Sequence, residues 1–172
     1  VDFTNNKRVN EILTNENSSS FLLYPGKDSF NLSIKKGSEI NSFMGNDPHV
    51  FILDGTWPCA RKMLSLSKNL QKLKRVSFDN KIKSKFIFKQ QPEAICLSTI
   101  ESVYTVINLL KDADFEQCET KDFLVPFEKM IEHQIEYILN PNNKNYRSSE
   151  NRKIAPKNKY KKNPDRSVVF EK

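Results

Sequence analysis

Apolar positions along the chain follow two periods, helical and strand-like, in alternation. Between Asn5 and Leu13, Val9, Ile12 and Leu13 share one helical face, and Phe21-Leu22-Leu23-Tyr24 is a short apolar run stopped by Pro25-Gly26, so the pattern predicts a helix followed by a buried strand. Val50-Phe51-Ile52-Leu53 predicts a second strand, closed by the turn signal Asp54-Gly55. Pro58 suits the first turn of a helix whose Ala60, Met63, Leu64, Leu66, Leu70 and Leu73 keep helical spacing, with Arg61, Lys62, Lys68 and Lys72 on the other face. Val76-Ser77-Phe78 and Phe86-Ile87-Phe88 read as further extended pieces around a polar loop. Ser98 with Glu101 three residues on forms a capping box that opens a helix along Ile100, Val103, Tyr104, Ile107 and Leu110. A last helix runs from about Phe123 to Leu139 and stops at Asn140-Pro141. Strands alternating with helices predict an α/β domain with a mostly parallel sheet and helices on both faces.

Composition narrows the class. A chain of 172 residues, 37% of them hydrophobic, has no apolar run near the roughly 20 residues that span a bilayer, which argues against a membrane protein. Its four glycines, Gly26, Gly37, Gly45 and Gly55, allow neither G-x-G-x-x-G nor G-x-x-x-x-G-K, which removes the Rossmann and P-loop readings. Cys59, Cys96 and Cys118 are odd in number and widely spaced, which suits reduced thiols in a cytoplasmic compartment, and with His49 and His133 they form no zinc-ligand spacing, so no metal is expected.

The formal net charge of +7 is an average over unequal segments. Residues 1–60 carry −2, residues 61–91 carry +9, residues 92–140 carry −7, and residues 141–172 carry +7. A neutral domain over 1–140 and a basic tail over 141–172 are therefore expected, the tail without any sustained apolar period. Tyr146 and Tyr160 in that tail are of a type that stacks on bases, and a second basic stretch in the same chain favours a polyanion such as RNA over phospholipid.

In open α/β sheets ligands bind beyond the carboxyl ends of strands, and one predicted strand runs directly into Asp54-Gly55-Thr56-Trp57 before a helix. Two readings of that turn stand side by side: a catalytic carboxylate with its pocket, or an Asp54 or Thr56 that merely caps the helix with Trp57 packed against it. For Ser98, Thr99 and Glu101 the capping box is by itself a sufficient account.

The segment Asp54-Gly55-Thr56-Trp57-Pro58-Cys59-Ala60-Arg61-Lys62-Met63 resembles the D-x-T-W-x-x-A-x-K-M signature of the DTW-domain family, the tRNA-uridine aminocarboxypropyltransferases. Four more pieces fall in the family's order. Asn5-Asn6-Lys7-Arg8 resembles N-T-G-R, Leu23-Tyr24-Pro25-Gly26 the strand-then-proline loop, Ser84 to Pro92 the pattern S-x-Y-x-L-R-x-Q-P, and Leu97-Ser98-Thr99-Ile100-Glu101-Ser102 the pattern L-S-T-x-E-A. The resemblance covers about residues 5 to 110. Lys7 stands in place of Gly, Asn6 in place of Thr and Lys89 in place of Arg, and the family's amino-terminal cysteine cluster is not among these residues.

The resemblance implies a SPOUT-like knotted α/β fold that binds S-adenosylmethionine without a glycine-rich loop, with tRNA as partner. The implied reaction is transfer of the 3-amino-3-carboxypropyl group to N3 of a uridine. N3 must lose its proton to attack, which makes Asp54 the candidate general base. The loops at Tyr24-Pro25, Leu53 to Trp57 and Leu97 to Thr99 become candidate cofactor contacts. Thr56, Ser98 and Glu101 would fix the polar end, with Glu101 set against the amino group; Trp57 would form a wall, and Ala60 would keep its helix close. Arg61, Lys62, Lys85 and Lys89, together with Arg152 and Lys153 of the tail, are candidate RNA contacts. An S-adenosylmethionine-dependent RNA methyltransferase and a non-catalytic RNA-binding protein on the same scaffold are the competing readings.

Overall fold

The structure is a computed structural model that describes residues 1–80, 84–86 and 96–139. The chain divides into two units, Val1–Lys121 and Asp122–Lys172. The first contains a four-stranded, all-parallel sheet in the order β2-β4-β1-β3, formed by β1 (Ser19–Leu23), β2 (Phe30–Asn31), β3 (Pro48–Phe51) and β4 (Lys74–Ser77). Its helices are α1 (Lys7–Leu13), α2 (Gly37–Met44), α3 (Trp57–Leu66), α4 (Lys68–Gln71) and α5 (Thr99–Asp112). The described part of the second unit is helix α6 (Val125–Leu139), with Pro126 in its first turn, where a missing N–H costs no hydrogen bond. The boundary expected between residues 140 and 141 lies outside the described residues, as do the tail and the path of 87–95 on which a knot depends.

Strand periodicity divides the core into two layers. Phe21, Leu23, Val50, Val76 and Phe78 pack with Ile40, Phe43 and Met44 of α2 and with Val106, Leu109 and Leu110 of α5. The alternate positions Leu22, Tyr24, Phe51 and Leu53 pack on the opposite face with Val9 and Leu13 of α1, Leu64 of α3 and Leu70 of α4. Helices therefore cover both faces of a parallel sheet, as the alternation of elements predicts, and the central strand β1 is the most deeply buried, with Phe21 at 1% and Leu22 at 0% exposure. Each such side chain contributes about 1.5–3 kcal/mol by leaving water.

Two departures from the sequence pattern have local causes. The helix expected from Pro58 to Leu73 is two helices, broken at the fully buried Ser67. The Ser67 hydroxyl accepts from the Phe3 N–H at 2.9 Å, while Thr4 Oγ1 donates to the Leu66 carbonyl at 3.2 Å and accepts from the Lys68 N–H at 3.1 Å. The amino-terminal segment thus satisfies the groups freed by the break, and apolar spacing alone carries no sign of that. The second departure is the pair β2 and α2, which the apolar pattern does not announce. β2 has only two residues, and α2 carries its apolar face on Ile40, Phe43 and Met44 within a polar eight-residue stretch. Of the run Phe86-Ile87-Phe88, only Phe86 is described, and it is not in a strand.

Candidate functional site

Because all four strands are parallel, the residues following β1, β3 and β4 emerge at one edge of the sheet, and the segment leading into α5 is tied to them there. After β1 the chain runs through Tyr24-Pro25-Gly26, all half-buried. After β3 it runs through Ile52 to Thr56 into α3, where Thr56 takes the N-cap position but its hydroxyl makes no capping hydrogen bond. Asp54 is likewise not used as a cap. Its Oδ1 accepts a 2.6 Å hydrogen bond from Thr99 Oγ1, which links the turn after β3 to the first residue of α5. Asp54 itself is exposed, and Oδ2 has no hydrogen-bond partner among the described residues. One oxygen thus orients the carboxylate and the other can accept a proton.

The expected capping box is present and larger than the sequence suggests. Glu101 is 6% exposed and its carboxylate accepts four hydrogen bonds. Oε2 receives the Ser98 N–H at 2.8 Å, the Ser98 hydroxyl at 2.6 Å and the Ser84 hydroxyl at 2.7 Å, and Oε1 receives the Lys85 N–H at 2.7 Å. Burial pushes the Glu101 carboxyl upward, but these four donors outweigh it and hold the group below the usual glutamate value. Ser84 in turn accepts from the Phe86 N–H at 3.1 Å. The segment 84–86 is therefore folded onto the amino end of α5 by one charged side chain, and its negative charge also complements the helix dipole.

On the Leu22 side of the sheet, the Tyr24 and Trp57 rings meet edge to face at 6.1 Å. The Arg75 guanidinium lies over the Tyr24 ring with its carbon 5.5 Å from the centroid. Burial raises the Tyr24 hydroxyl above its usual value, against the pull of Arg61 and Arg75 nearby. Gly26 makes room for the arginine, since a Cβ there would stand 2.9 Å from Arg75 Nη1.

The expected residues thus fall into groups. Tyr24, Pro25, Leu53, Asp54, Thr56, Trp57, Ser98, Thr99 and Glu101 lie on the loops and helix starts of this edge, with Leu97 one position before Ser98. Ala60 is buried in α3 at 7% exposure. Arg61 and Lys62 are exposed on α3, and Lys85 is exposed while its N–H is bound to Glu101. Lys89, Arg152 and Lys153 lie outside the described residues. Arg75 and Ser84 are the residues that pattern reading passed over. Arg75 entered only the charge total, although its spacing from Leu73 places it on an apolar face of β4, where an arginine is unusual. A depression of about 450 Å³ lined by Ser38, Glu39, Ser42, Phe43 and Lys74 opens at the amino end of β4, at the other edge of the sheet.

No helix among the described residues is long and apolar enough to cross a membrane, and no group of three or more His, Cys, Asp or Glu side chains among them is placed to hold a metal ion.

A parallel sheet covered on both faces, with an oriented carboxylate and facing aromatic rings beyond its strand ends, defines an α/β domain, a class that binds ligands beyond the carboxyl ends of its strands. Sequence comparison makes the class specific: the DTW-domain family model matches residues 1–135, and the chain belongs to that family. The relatives it resembles include tRNA-uridine aminocarboxypropyltransferase 2 of Macaca fascicularis, 25% identical over 124 residues that make up 70% of this chain and 38% of the relative. The Drosophila melanogaster protein of the same name is 32% identical over 97 residues, 56% of this chain and 36% of the relative. The chain thus spans less than two-fifths of the length of these curated relatives. No solved structure gives a significant match.

Proposed function

We propose that the chain carries the catalytic domain of a tRNA-modifying enzyme that transfers the 3-amino-3-carboxypropyl group of S-adenosylmethionine to N3 of a uridine. The observation that carries the reading is Asp54, placed beyond the end of β3, oriented by the Thr99 hydroxyl at 2.6 Å and left with Oδ2 unpartnered among the described residues. Membership of the DTW-domain family and the names of the relatives support the same reading.

The residues present fit such a donor. Tyr24 and Trp57 offer apolar ring surface against which an adenine can stack, and the scarcity of glycine is consistent with a ligand that has no phosphates to cradle. S-adenosylmethionine, when bound, supplies a carbon made electrophilic by the adjacent sulfonium, and attack there by nitrogen forms an N–C bond as the C–S bond breaks and leaves methylthioadenosine. Asp54 Oδ2 takes the N3 proton that this attack releases. Thr99 holds the carboxylate in place through Oδ1. Glu101 acts one step back, positioning the Ser84–Phe86 segment and the start of α5. The RNA backbone is assigned to Arg61, Lys62 and Lys85, which are exposed, and on charge alone to Lys89, Arg152 and Lys153.

The test is mass spectrometry of tRNA nucleosides after incubation with the purified chain and S-adenosylmethionine. Gain of an aminocarboxypropyl group on uridine supports the proposal. Gain of a methyl group identifies a methyltransferase instead, and absence of donor binding by calorimetry identifies a non-catalytic RNA-binding domain.

A further inference from the structure

We propose that Arg75 is the receptor for the α-carboxylate of the donor, and that it thereby selects which of the carbons on sulfur is presented to the nucleophile. The assignment rests on the reading of the chain as an aminocarboxypropyltransferase. Arg75 is half-buried in β4, at the register of Leu22, with its side chain running along β1 toward Gly26. Its guanidinium lies on the Tyr24 ring and, among the described residues, has no carboxylate partner and makes no hydrogen bond. A half-buried guanidinium whose donors are unused among the described residues is available to bind an anion.

Position selects the kind of anion. Arg61 and Lys62 stand exposed on α3, where a phosphodiester chain can reach them. Arg75 is half-buried against the Tyr24 ring, with Nη1 beside Gly26 beyond the end of β1, the end of the sheet where Asp54 also stands. The donor's amino-acid end carries one carboxylate, and a planar guanidinium can bind it through two parallel hydrogen bonds. Three carbon substituents compete at a sulfonium. An enzyme that transfers the longest one must hold that chain by its far end, so that its sulfur-bound carbon and not the methyl faces the nucleophile. Gly26 lies against the same group: a Cβ there would stand 2.9 Å from Nη1 and displace the flexible end of the arginine.

The test compares calorimetric binding of S-adenosylmethionine and of methylthioadenosine, which keeps the adenosine and the methylated sulfur, as a neutral thioether, but lacks the amino-acid end. In Arg75→Gln, affinity for S-adenosylmethionine is expected to fall by about tenfold or more while affinity for methylthioadenosine stays within about twofold. Arg75→Lys, which keeps the charge but loses the paired donors, should fall between the two and keeps the proposal testable if Arg75→Gln fails to fold, whereas Gly26→Ala meets only the flexible end of the arginine and should give a smaller selective loss. Equal losses for both ligands, or none for either, overturn it, as does a loss confined to tRNA binding, which marks a phosphate contact. Binding of neither ligand by the unaltered chain overturns the donor reading itself, and the Arg75 assignment with it. Donor binding that discriminates normally between the two ligands, but with only methyl found on the RNA, overturns the proposed reaction and leaves the carboxylate contact standing as a binding feature.

Discussion

Replacing Glu101 with glutamine keeps the size and shape of the side chain and removes one acceptor. The two hydroxyls that now donate to the carboxylate, on Ser84 and Ser98, can rotate and accept from an amide instead. The two backbone N–H groups have no such freedom, and they bind different oxygens, Ser98 N on Oε2 and Lys85 N on Oε1. Whichever way the glutamine amide is turned, one of them faces an NH2 group and is left unsatisfied at a site where residue 101 is 6% exposed. An orphaned buried donor costs about 1–3 kcal/mol, and the remaining bonds also lose their charge assistance, so a loss near the upper figure, about 3 kcal/mol, is expected. For a unit of roughly 120 residues this lowers Tm by roughly 10 °C. Thermal and urea unfolding of the full chain at pH 7, followed by circular dichroism, measures it. The acid limb gives an independent check. The folded carboxyl lies below the ordinary value of about 4.3, so its stabilisation is fully present above that value and is lost as pH falls through the lower, folded one. The stability gap between the parent and Glu101→Gln should therefore be constant from pH 7 to about 5 and close steadily below about 4. A gap under about 0.5 kcal/mol at pH 7, within the range of an ordinary surface change, or one that persists undiminished at pH 3, refutes the clamp.

Asp54→Asn should abolish tRNA modification while calorimetric affinity for S-adenosylmethionine largely survives; unchanged turnover removes Asp54 from the chemistry. Thr99→Val takes away the hydroxyl that donates to Asp54 at 2.6 Å and should lower kcat roughly tenfold with KM for the donor little changed, consistent with loss of positioning alone. Gly37→Ala places a Cβ 2.6 Å from the Ala113 carbonyl oxygen, backbone that cannot turn aside, so urea unfolding should show a loss of about 1–3 kcal/mol. Deleting residues 141–172 removes a net +7 and should weaken tRNA binding and make its salt dependence shallower without altering donor affinity. An unchanged salt slope would mean that the tail makes no phosphate contacts.

The fold was legible wherever apolar runs were long enough to show their period. Phe21 to Tyr24, Val50 to Leu53 and the stripe from Ile100 to Leu110 all appear in the structure as elements or their direct continuations, and the alternation of Phe21 and Leu22 between the two core layers is the strand period made visible. What was not legible depended on contacts distant in sequence. Ser67 breaks a helix because Phe3 and Thr4 arrive to satisfy it, 64 positions away along the chain. At the site, the Asp54-Gly55-Thr56-Trp57 turn drew attention as a cluster of site-like residue types after a strand, and the structure removes the helix-cap alternative for Asp54 by giving its Oδ1 to Thr99. Glu101 shows the opposite balance: the capping box was readable from a three-residue spacing, whereas the grip on Ser84 and Lys85 required the fold.

The same bookkeeping of donors explains why an arginine is needed at all. Helix starts are ready anion sites, and α5 opens at the very edge where the donor must lie. Yet the Ser98 N–H at that start is already committed to Glu101, and Glu101 brings a full negative charge to the same place. An incoming carboxylate would meet repulsion there in place of free amides. Nor can a glycine-rich loop take over, since only four glycines are available, and the two at this end of the sheet are isolated, Gly26 against Arg75 and Gly55 against Cys59 and Met63. With the amino end of α5 neutralised from within and no glycine loop to present backbone N–H groups, the anionic end of the donor is given, on the proposed reading, to a side chain. Arg75 is a half-buried cation on the Tyr24 side of the sheet with no carboxylate partner among the described residues. On the proposed reading the Glu101 clamp and the Arg75 guanidinium divide the charges between them: α5 is stabilised by an internal anion, and the donor's carboxylate is met on β4.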